Sequence, residues 1–410
     1  MANDANGKKF TVITGGKDVV ADEKHDHKSF FSISHRLVVI DEKLPYDLFI
    51  NSSGIEGREK YVRIFPKGGV LSAGEPDQFQ KKYHQLYLPE TQRADYLKNV
   101  CRLKNRPEAE KAGVLKDSAI SYIGTLFDQR REFSIETFNQ GIAGCREVVE
   151  GLVDVLQGYD LDSLQDLIGN LSFHDFYTYD HSINVSMYCI IIYRALNPGA
   201  SKEQVLNAGF GGLLHDLGKI KIPTEIINKA GKLTSEEFAE IQKHPGLGFE
   251  ILASSGILVP KGIDIGLLKN VVYQHHENVD GTGYPRKLKS DEIDVYAKIT
   301  AVADFFDAIT TKRSYHEALT VDEALALMKK SVGKKLDSPI FDLFTEQTKI
   351  FQPDKISPLE LPIHFDPCQP PEPGRFAHAH SHGVQGKAAP TSSDFGKIIV
   401  KAPARKRSSG

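Results

Sequence analysis

The sequence predicts a mainly α-helical protein, in which a C-terminal all-helical bundle follows a small mixed α/β or β-rich domain. Two observations support this fold class. Long segments between about residues 107 and 310 repeat apolar residues at helical spacing. The region from 30 to 105 instead contains short apolar or alternating runs separated by glycine and proline, which is typical of strands.

The N-terminal region is predicted to begin with a flexible segment at 1–30, followed by a small accessory or regulatory domain at 30–105. Its apolar or alternating runs at 37–40 and 61–65 are the candidate strands. A helical segment at 106–168 would link this domain to the bundle and carry a dimer contact.

The bundle is predicted to contain helices whose ends are marked by proline, glycine and capping residues. The Thr234-Ser-Glu-Glu run, for example, resembles a capping box, and Pro198 and Gly199 would end a helix. The predicted helices are 181–196, 202–215, 234–244, 265–274 and 293–310.

Candidate metal ligands lie on or beside these helices. They are the pairs His215-Asp216 and His275-His276 and the single residues His181, His244 and Asp304, separated by gaps of 28 to 34 residues. Imidazole and carboxylate groups together suit Fe, Mn or Zn. Alone, His244 would be a solvated residue at a helix end and Asp304 a hydrogen-bonded buried carboxylate. Together, such groups would be costly to bury without a cation, so the set predicts a metal site.

Further residues around the ligand pairs are candidates for phosphate or base binding. Lys219 follows His215 by four residues, which would place its ammonium on the ligand side of a continuing helical turn, although an exposed lysine is the alternative. The glycines before Tyr284 and Pro285 allow the backbone to approach a bound ligand closely. Away from a ligand pair, the same residues would indicate only an ordinary turn without a binding role. Asp307 is either a substrate contact or a helix-end charge.

These motifs resemble those of the HD-GYP domain, the bacterial branch of the HD phosphohydrolase superfamily that hydrolyses cyclic di-GMP. The resemblance covers about 170–345, within a predicted catalytic domain at 169–350. The matching motifs are YTYDHS at 177–182, HDLGKI at 215–220, HP at 244–245, HHENVDGTGYP at 275–285, ADFFDA at 303–308 and RSY at 313–315.

The resemblance implies a cluster of two divalent metal ions, Fe or Mn, in which Asp216 bridges the ions. It also implies catalytic roles for Asp216 and Lys219. The implied metal ligands are His181, His215, Asp216, His244, His275, His276 and Asp304. The implied substrate contacts are Lys219, Gly283, Tyr284, Asp307 and Arg313.

Two positions depart from the family pattern. Tyr177 stands where relatives with a third metal have a glutamate, so two metals are expected. His316 stands where relatives often have a lysine, which puts the substrate preference in doubt.

Composition narrows the remaining possibilities. The formal net charge of −3 shows that the chain has no overall excess of basic residues, which would have indicated a nucleic-acid polymer as partner. The four cysteines lack paired spacing, which suits a reducing cytoplasm, and no apolar stretch approaches the ~20 residues needed for membrane insertion. Proline, glycine, serine and charge dominate 354–410, which is expected to be a disordered tail.

The sequence therefore predicts a cytoplasmic metal-dependent phosphodiesterase that converts cyclic di-GMP to pGpG, with GMP as a further product still open. The alternatives are an HD-type hydrolase of another cyclic dinucleotide and a non-catalytic receptor or interaction module. A diguanylate cyclase or another signalling protein, and a second copy of the chain, are the protein partners considered.

Overall fold

The structure is a computed structural model that describes residues 30–53, 59–104, 106–128, 134–171, 177–227, 229, 233–311 and 319–347. The chain divides into two compact units, Met1–Lys104 and Asn105–Gly410. None of the described helices combines the length and apolar character needed to cross a lipid bilayer.

The first unit is built on a four-stranded antiparallel sheet with the order β1-β4-β2-β3. Leu48, Leu86 and Leu88 are fully buried, whereas Tyr87 between the two leucines of its strand is partly exposed, as expected where alternate residues face opposite sides of a sheet. The elements are β1 Phe30–Ile33, β2 Leu48–Asn51, β3 Tyr61–Phe65, α1 Glu75–Lys82, β4 Leu86–Pro89 and α2 Arg93–Arg102.

One of the two candidate strands of this unit is not a strand. The run at 61–65 is β3, but the run at 37–40 contains the last residue of a short 3-10 helix, His35–Leu37, followed by irregular chain. Leu37, Val38 and Val39 are nevertheless buried. These residues are apolar because they fill the core, and this requirement does not depend on strand pairing.

The second unit is entirely helical apart from isolated bridges in its described residues, which confirms the predicted fold class. Its α-helices are α3 Glu108–Leu126, α4 Ile135–Val155, α5 Leu161–Leu171, α6 Tyr177–Leu196, α7 Lys202–Leu214, α8 Thr224–Ile227, α9 Ser235–Ile241, α10 His244–Ala253, α11 Ile265–Gln274, α12 Val295–Thr310, α13 Val321–Lys329 and α14 Ser338–Glu346.

Helix α6 lies at the centre of this unit, where it packs against α3, α5, α7, α12 and α14. Helix α7 packs against α4, α6, α11 and α12, and every one of its residues from Val205 to Leu214 is buried. The helices α3, α4 and α5, which occupy most of the segment predicted as a linker, thus pack against the same core as the rest of the unit.

Side-chain caps fix the starts of the helices that lead to the site. Ser201 and Gln204 form a capping box before α7, and Thr234 and Glu237 form the predicted one before α9. The Asp264 side chain accepts hydrogen bonds from the Gly266 and Leu267 amides at the start of α11. Each cap pairs amides that the helix itself leaves without partners.

The position of His244 differs from the prediction. It was expected at the end of the preceding helix, but α9 ends at Ile241 and His244 is the first residue of α10. Pro245 therefore lies in the first turn of a helix, where its missing N–H costs no hydrogen bond. The sequence pattern of a proline after a helix also fits a proline at the start of the next one.

Candidate metal centre

Five helices of the second unit bring the predicted ligands together. His181 lies in the first turns of α6, and Asp304 lies within α12. The two pairs directly follow the last residues of α7 and α11, and His244 begins α10. The predicted ligands therefore come from segments that are far apart in the sequence and meet in the core.

The side chains form two adjacent groups, both buried. One group contains Asp216, His244, His275 and His276, and the other contains His181, His215 and Asp304. Within each group, one nitrogen or oxygen atom per residue lies within 4.8 Å of those of the other members. Such spacing allows each group to hold one metal ion.

The carboxylate of Asp216 lies between the two groups. Its Oδ1 is 3.3 Å from His244 Nε2 and 3.9 Å from His275 Nε2, whereas its Oδ2 is 3.4 Å from His215 Nε2. One oxygen therefore faces each group, which is the arrangement that a bridging carboxylate requires.

Backbone carbonyls orient three of the imidazole rings. The Nδ1 atoms of His215, His244 and His275 lie 2.7, 2.8 and 3.0 Å from the carbonyl oxygens of Gly212, Ile241 and Val272. Because a carbonyl only accepts, each Nδ1 carries a proton, so the nitrogen of each ring that can bind a metal is Nε2. This arrangement is characteristic of histidine metal ligands.

The fourth oriented ring, His181, is held by a carboxylate instead. Its Nδ1 is 2.7 Å from Asp307 Oδ2, and its Nε2 is 3.2 Å from Asp304 Oδ1. Asp307 is fully buried, and its Oδ1 also accepts hydrogen bonds from Asn184 Nδ2 and Thr311 Oγ1. This environment argues against the predicted substrate contact for Asp307, because both of its oxygens are already engaged; it supports a role in orienting His181.

The charges of the site are arranged for cation binding. Burial alone would raise the pKa of Asp216, but Lys219, whose Nζ donates to Oδ2 at 2.6 Å, and the neighbouring His215 hold it well below its ordinary value. Burial is also the main reason why the pKa values of His244 and His275 lie well below normal, with neighbouring histidines adding to the effect. An ionised carboxylate and neutral imidazoles are the forms that bind metals.

His181 has the opposite shift. Burial alone would lower its pKa, but its hydrogen bonds to Asp304 and Asp307, together with their negative charges, raise it to about 10. The same contact with His181 lowers the pKa of Asp304 against the effect of burial. In the metal-free protein, a proton on His181 thus supplies positive charge to this group.

Several buried polar atoms of the two groups have poor or no hydrogen-bond partners among the described residues. His215 Nε2 and Asp216 Oδ1 are buried and make no hydrogen bond in the described part of the structure. His244 Nε2 and His275 Nε2 lie 3.2 Å apart, although both bear lone pairs. Since such contacts are costly, the residues fit a divalent ion between them. The histidine and carboxylate donor set suits Fe, Mn or Zn.

A close backbone contact holds two ligand segments together. The 3-10 helix Leu217–Lys221 packs against α10, and a Cβ on Gly218 would lie 1.8 Å from the His244 carbonyl oxygen. Only glycine fits at this position without a backbone shift. The Gly218 of the HDLGK motif therefore sets the distance between Asp216 and His244.

Glu277 holds the loop that follows the second histidine pair. Its buried carboxylate accepts hydrogen bonds from the amides of Arg286 and Leu288 at 2.6 and 2.9 Å. The Tyr284 ring stacks on His276, with ring centroids 4.8 Å apart, and its amide donates to the His276 carbonyl. Gly283 is buried, and a Cβ there would lie 2.5 Å from the same carbonyl oxygen.

The structure does not describe all the predicted site residues. Arg313 and His316 lie outside the described residues, as does the side chain of Tyr177. Sequence reasoning missed the roles of Asn184, whose partner Asp307 is distant in the sequence, and of Glu277, whose partners lie on the far side of a loop. Glu277 had one signal: it directly follows two ligands and precedes a glycine-rich turn.

The second unit is thus a helical domain with two buried groups of histidines and carboxylates that could hold metal ions. Residues 170–340 match the family model of the HD domain. This match confirms the resemblance found in the sequence for these residues.

Several curated proteins are similar to part of the chain. A cyclic di-GMP phosphodiesterase, PA4108, from Pseudomonas aeruginosa is 37% identical over 43% of this chain and 41% of its own length. The cyclic di-GMP phosphodiesterase response regulator RpfG from Xanthomonas campestris is 40% identical, covering 35% of this chain and 37% of its own length. A 3′3′-cGAMP-specific phosphodiesterase 2 from Vibrio cholerae is 35% identical, covering 40% of this chain and 30% of its own length. The chain thus spans less than half the length of each of these relatives.

Proposed function

We propose that this protein is a metal-dependent phosphodiesterase that hydrolyses cyclic di-GMP to pGpG, with GMP as the product of a second cleavage. The observation that carries the proposal is the position of Asp216, whose two oxygens face two buried groups of metal-binding side chains. Two divalent ions, Fe or Mn, would be held by Asp216, His244, His275 and His276 on one side, and by His181, His215, Asp304 and Asp216 on the other.

Bound divalent ions would supply charge to polarise the phosphodiester and would lower the pKa of a nearby water, so that hydroxide is available near neutral pH. Asp216 orients the two groups toward each other. Lys219 donates to Asp216 and keeps part of its surface exposed, so its ammonium is placed to stabilise negative charge on a phosphate oxygen. The structure identifies no acid for the leaving oxygen among its described residues.

The loop that contains Gly283 and Tyr284 would bind the substrate next to these ligands. The stack of Tyr284 on His276 supports this role, because it holds the loop against a candidate metal ligand. Arg313 is proposed to pair with a phosphate or a guanine edge, since a guanidinium donates two parallel hydrogen bonds.

A second candidate substrate is a mixed cyclic dinucleotide. Relatives named as 3′3′-cGAMP-specific phosphodiesterases are 31 to 35% identical, against 35 to 40% for those named as cyclic di-GMP phosphodiesterases. This small difference does not separate the two substrates. His316, where relatives often have lysine, is a sequence feature that could affect the preference.

The test is purification without oxygen, metal analysis, and incubation with cyclic di-GMP or 3′3′-cGAMP in Fe(II) or Mn(II), with products followed by chromatography. We expect about two metals per chain, conversion of cyclic di-GMP to pGpG, and no turnover by Asp216→Ala. Full activity of Asp216→Ala would exclude the mechanism. Binding of cyclic di-GMP without any turnover by the metal-loaded protein would instead support the receptor alternative.

Lys219 and Lys221 provide a matched pair for the same assay, because both belong to one 3-10 helix, in which Lys219 donates to Asp216 whereas Lys221 lies at an exposed position. Lys219→Met should lower kcat by about 10²-fold, the effect of removing one donor that stabilises transition-state charge. Lys221→Met, at an exposed position, should change kcat by less than about twofold.

The predicted cytoplasmic location, homodimer and signalling partners such as a diguanylate cyclase belong to this proposal as well. They are consistent with a cyclic dinucleotide as substrate. Light scattering of the purified full chain would measure its oligomeric state.

A further inference from the structure

Two buried lysines lie on α3, a helix that precedes the HD domain match at 170–340. Lys111 pairs with Glu108 on its own helix at 2.8 Å. Lys116 instead reaches a different helix, where its Nζ lies 3.0 Å from Asp180 Oδ1 on α6. Both partners of this second pair are shielded from solvent, with side-chain exposures of 7 and 16%.

Asp180 directly precedes His181, so the ion pair lies next to a predicted metal ligand in the sequence. The preceding residue also contacts α3: Tyr179 is buried, packs against Gly124 and forms an edge-on ring contact with Phe127, with centroids 6.3 Å apart. Tyr179 and Asp180, the two residues before His181, are therefore both held by this segment. Lys116 on α3 holds Asp180 through charge. Gly124 on α3 and Phe127, the residue after α3, hold Tyr179 through apolar packing.

The position of His181 depends on the orientation of this first part of α6. Its Nδ1 and Nε2 must reach Asp307 and Asp304, which both lie on α12. A rotation or shift at the start of α6 would change both distances. Since α12 fixes the ring from one side, a second anchor is needed to fix the helical backbone from which the ring projects.

From these contacts we infer that Lys116 is a positioning residue of the metal centre, which acts through Asp180 to hold His181 in place. This inference rests on the proposed metal centre. It implies that the complete metal centre requires α3 in addition to residues 170–340, which match the HD domain model. The net stability of a buried ion pair is often small, whereas its two charges hold the groups that carry them at a short distance, so its main effect here is on geometry.

The experiment measures Mn(II) affinity and thermal unfolding of the metal-free full chain in four forms: wild type, Lys116→Met, Lys116→Met with Asp180→Asn, and Lys111→Met. Lys116→Met leaves the Asp180 carboxylate buried without its cation and will reduce stability. The double variant removes both charges and so keeps the fold. Lys111→Met is the matched control, since it removes an equally buried lysine from the same helix.

We expect the double variant to melt near the wild-type temperature and to bind Mn(II) about 10-fold more weakly, at the lower end of the effect of residues that orient metal ligands. Lys111→Met should bind Mn(II) with the wild-type affinity. Wild-type affinity in the double variant, or an equal loss in Lys111→Met, would overturn the inference while leaving the metal centre intact. A wild-type protein that binds no Mn(II) would overturn the metal centre itself, and the inference with it.

Discussion

At the scale of single residues, the protonation of His181 links metal binding to pH. Its pKa of about 10 in the metal-free protein lies above the ordinary value of 6.5. The charged ring therefore stabilises the metal-free fold fully below pH 6.5, and this stabilisation is lost as the pH rises through about 10. A histidine binds a metal ion as the neutral imidazole, so a metal ion has to displace this proton.

Metal binding at pH 7 should consequently release about one proton from His181. The apparent Mn(II) affinity should then rise by up to about tenfold per pH unit between pH 7 and 9. Calorimetric titrations in buffers with different ionisation enthalpies measure the number of protons released. An affinity independent of pH over this range would show that His181 is already neutral or does not bind the ion.

The effect of Asp307 can be separated from that of the ligands. Asp307→Asn keeps the size of the side chain but removes the negative charge that orients His181. It also replaces the carboxylate that accepts hydrogen bonds from Asn184 and Thr311 with an amide. Mn(II) affinity should fall by about 10 to 100-fold. Asp342→Asn, at an exposed acid on α14, should leave it unchanged. Direct loss of substrate binding with unchanged metal affinity would favour the original substrate-contact prediction.

At the scale of elements, the contact between the 3-10 helix Leu217–Lys221 and α10 determines the shape of the site. Gly218→Ala would force apart backbone atoms that now leave no room for a Cβ, with distances of 1.8 Å to the His244 oxygen and 2.6 Å to the Gly248 nitrogen. It should lower the free energy of unfolding by about 1–3 kcal/mol and also weaken Mn(II) binding.

Gly246→Ala is the control for this substitution, because Gly246 belongs to the same helix α10 and an added Cβ would meet only the Tyr273 ring, at 3.9 Å. Alanine is a better helix former than glycine by about 1 kcal/mol, so this variant should be as stable as the wild type or more stable. Thermal unfolding compares the two. Equal destabilisation by both substitutions would contradict the role given to the Gly218 contact.

The elements also show what the sequence could predict. The boundaries of α11 at 265–274 and the Thr234 capping box were predicted correctly, because local residues determine both features. The prediction of a strand at 37–40 was wrong, because these residues are apolar to fill the core of the unit and do not pair in a sheet. His244 was placed on the wrong helix, because a proline is compatible with either side of a helix boundary.

The candidate site shows the same division between local and distant signals. The seven predicted ligands were found from adjacent pairs and regular gaps, and the structure brings them together. The surroundings of Asp307 and Glu277 were not predicted, because their hydrogen-bond partners are fixed only by the packing of α6 on α12 and by the path of a loop. Apart from the position of Glu277 directly after a ligand pair, a single sequence contains no signal for such contacts.

At the scale of the whole molecule, the division at residue 104 predicts which parts can be removed. A truncated protein starting at residue 105 keeps α3 and the entire helical unit. It should fold and bind Mn(II) with the affinity of the full chain, as measured by circular dichroism and calorimetry.

A shorter protein that starts at 170, where the HD domain match begins, lacks α3 and α4 and most of α5. Buried apolar residues of α6 and α7 would then face solvent, so it should unfold at lower temperature and bind Mn(II) poorly. Wild-type affinity in this shorter protein would show that the preceding helices are dispensable for the site.

The hydrogen bonds from His215, His244 and His275 to carbonyls at helix ends have a consequence for how the site is lost on heating. Helix ends fray more readily than helix centres, and each fraying event would release a carbonyl and allow the attached imidazole to rotate. Metal release is therefore expected to begin by local opening at the ends of α7, α9 and α11, before the core of the bundle melts. A bound ion would hold these three helix termini together, so it should slow amide hydrogen exchange there more than elsewhere.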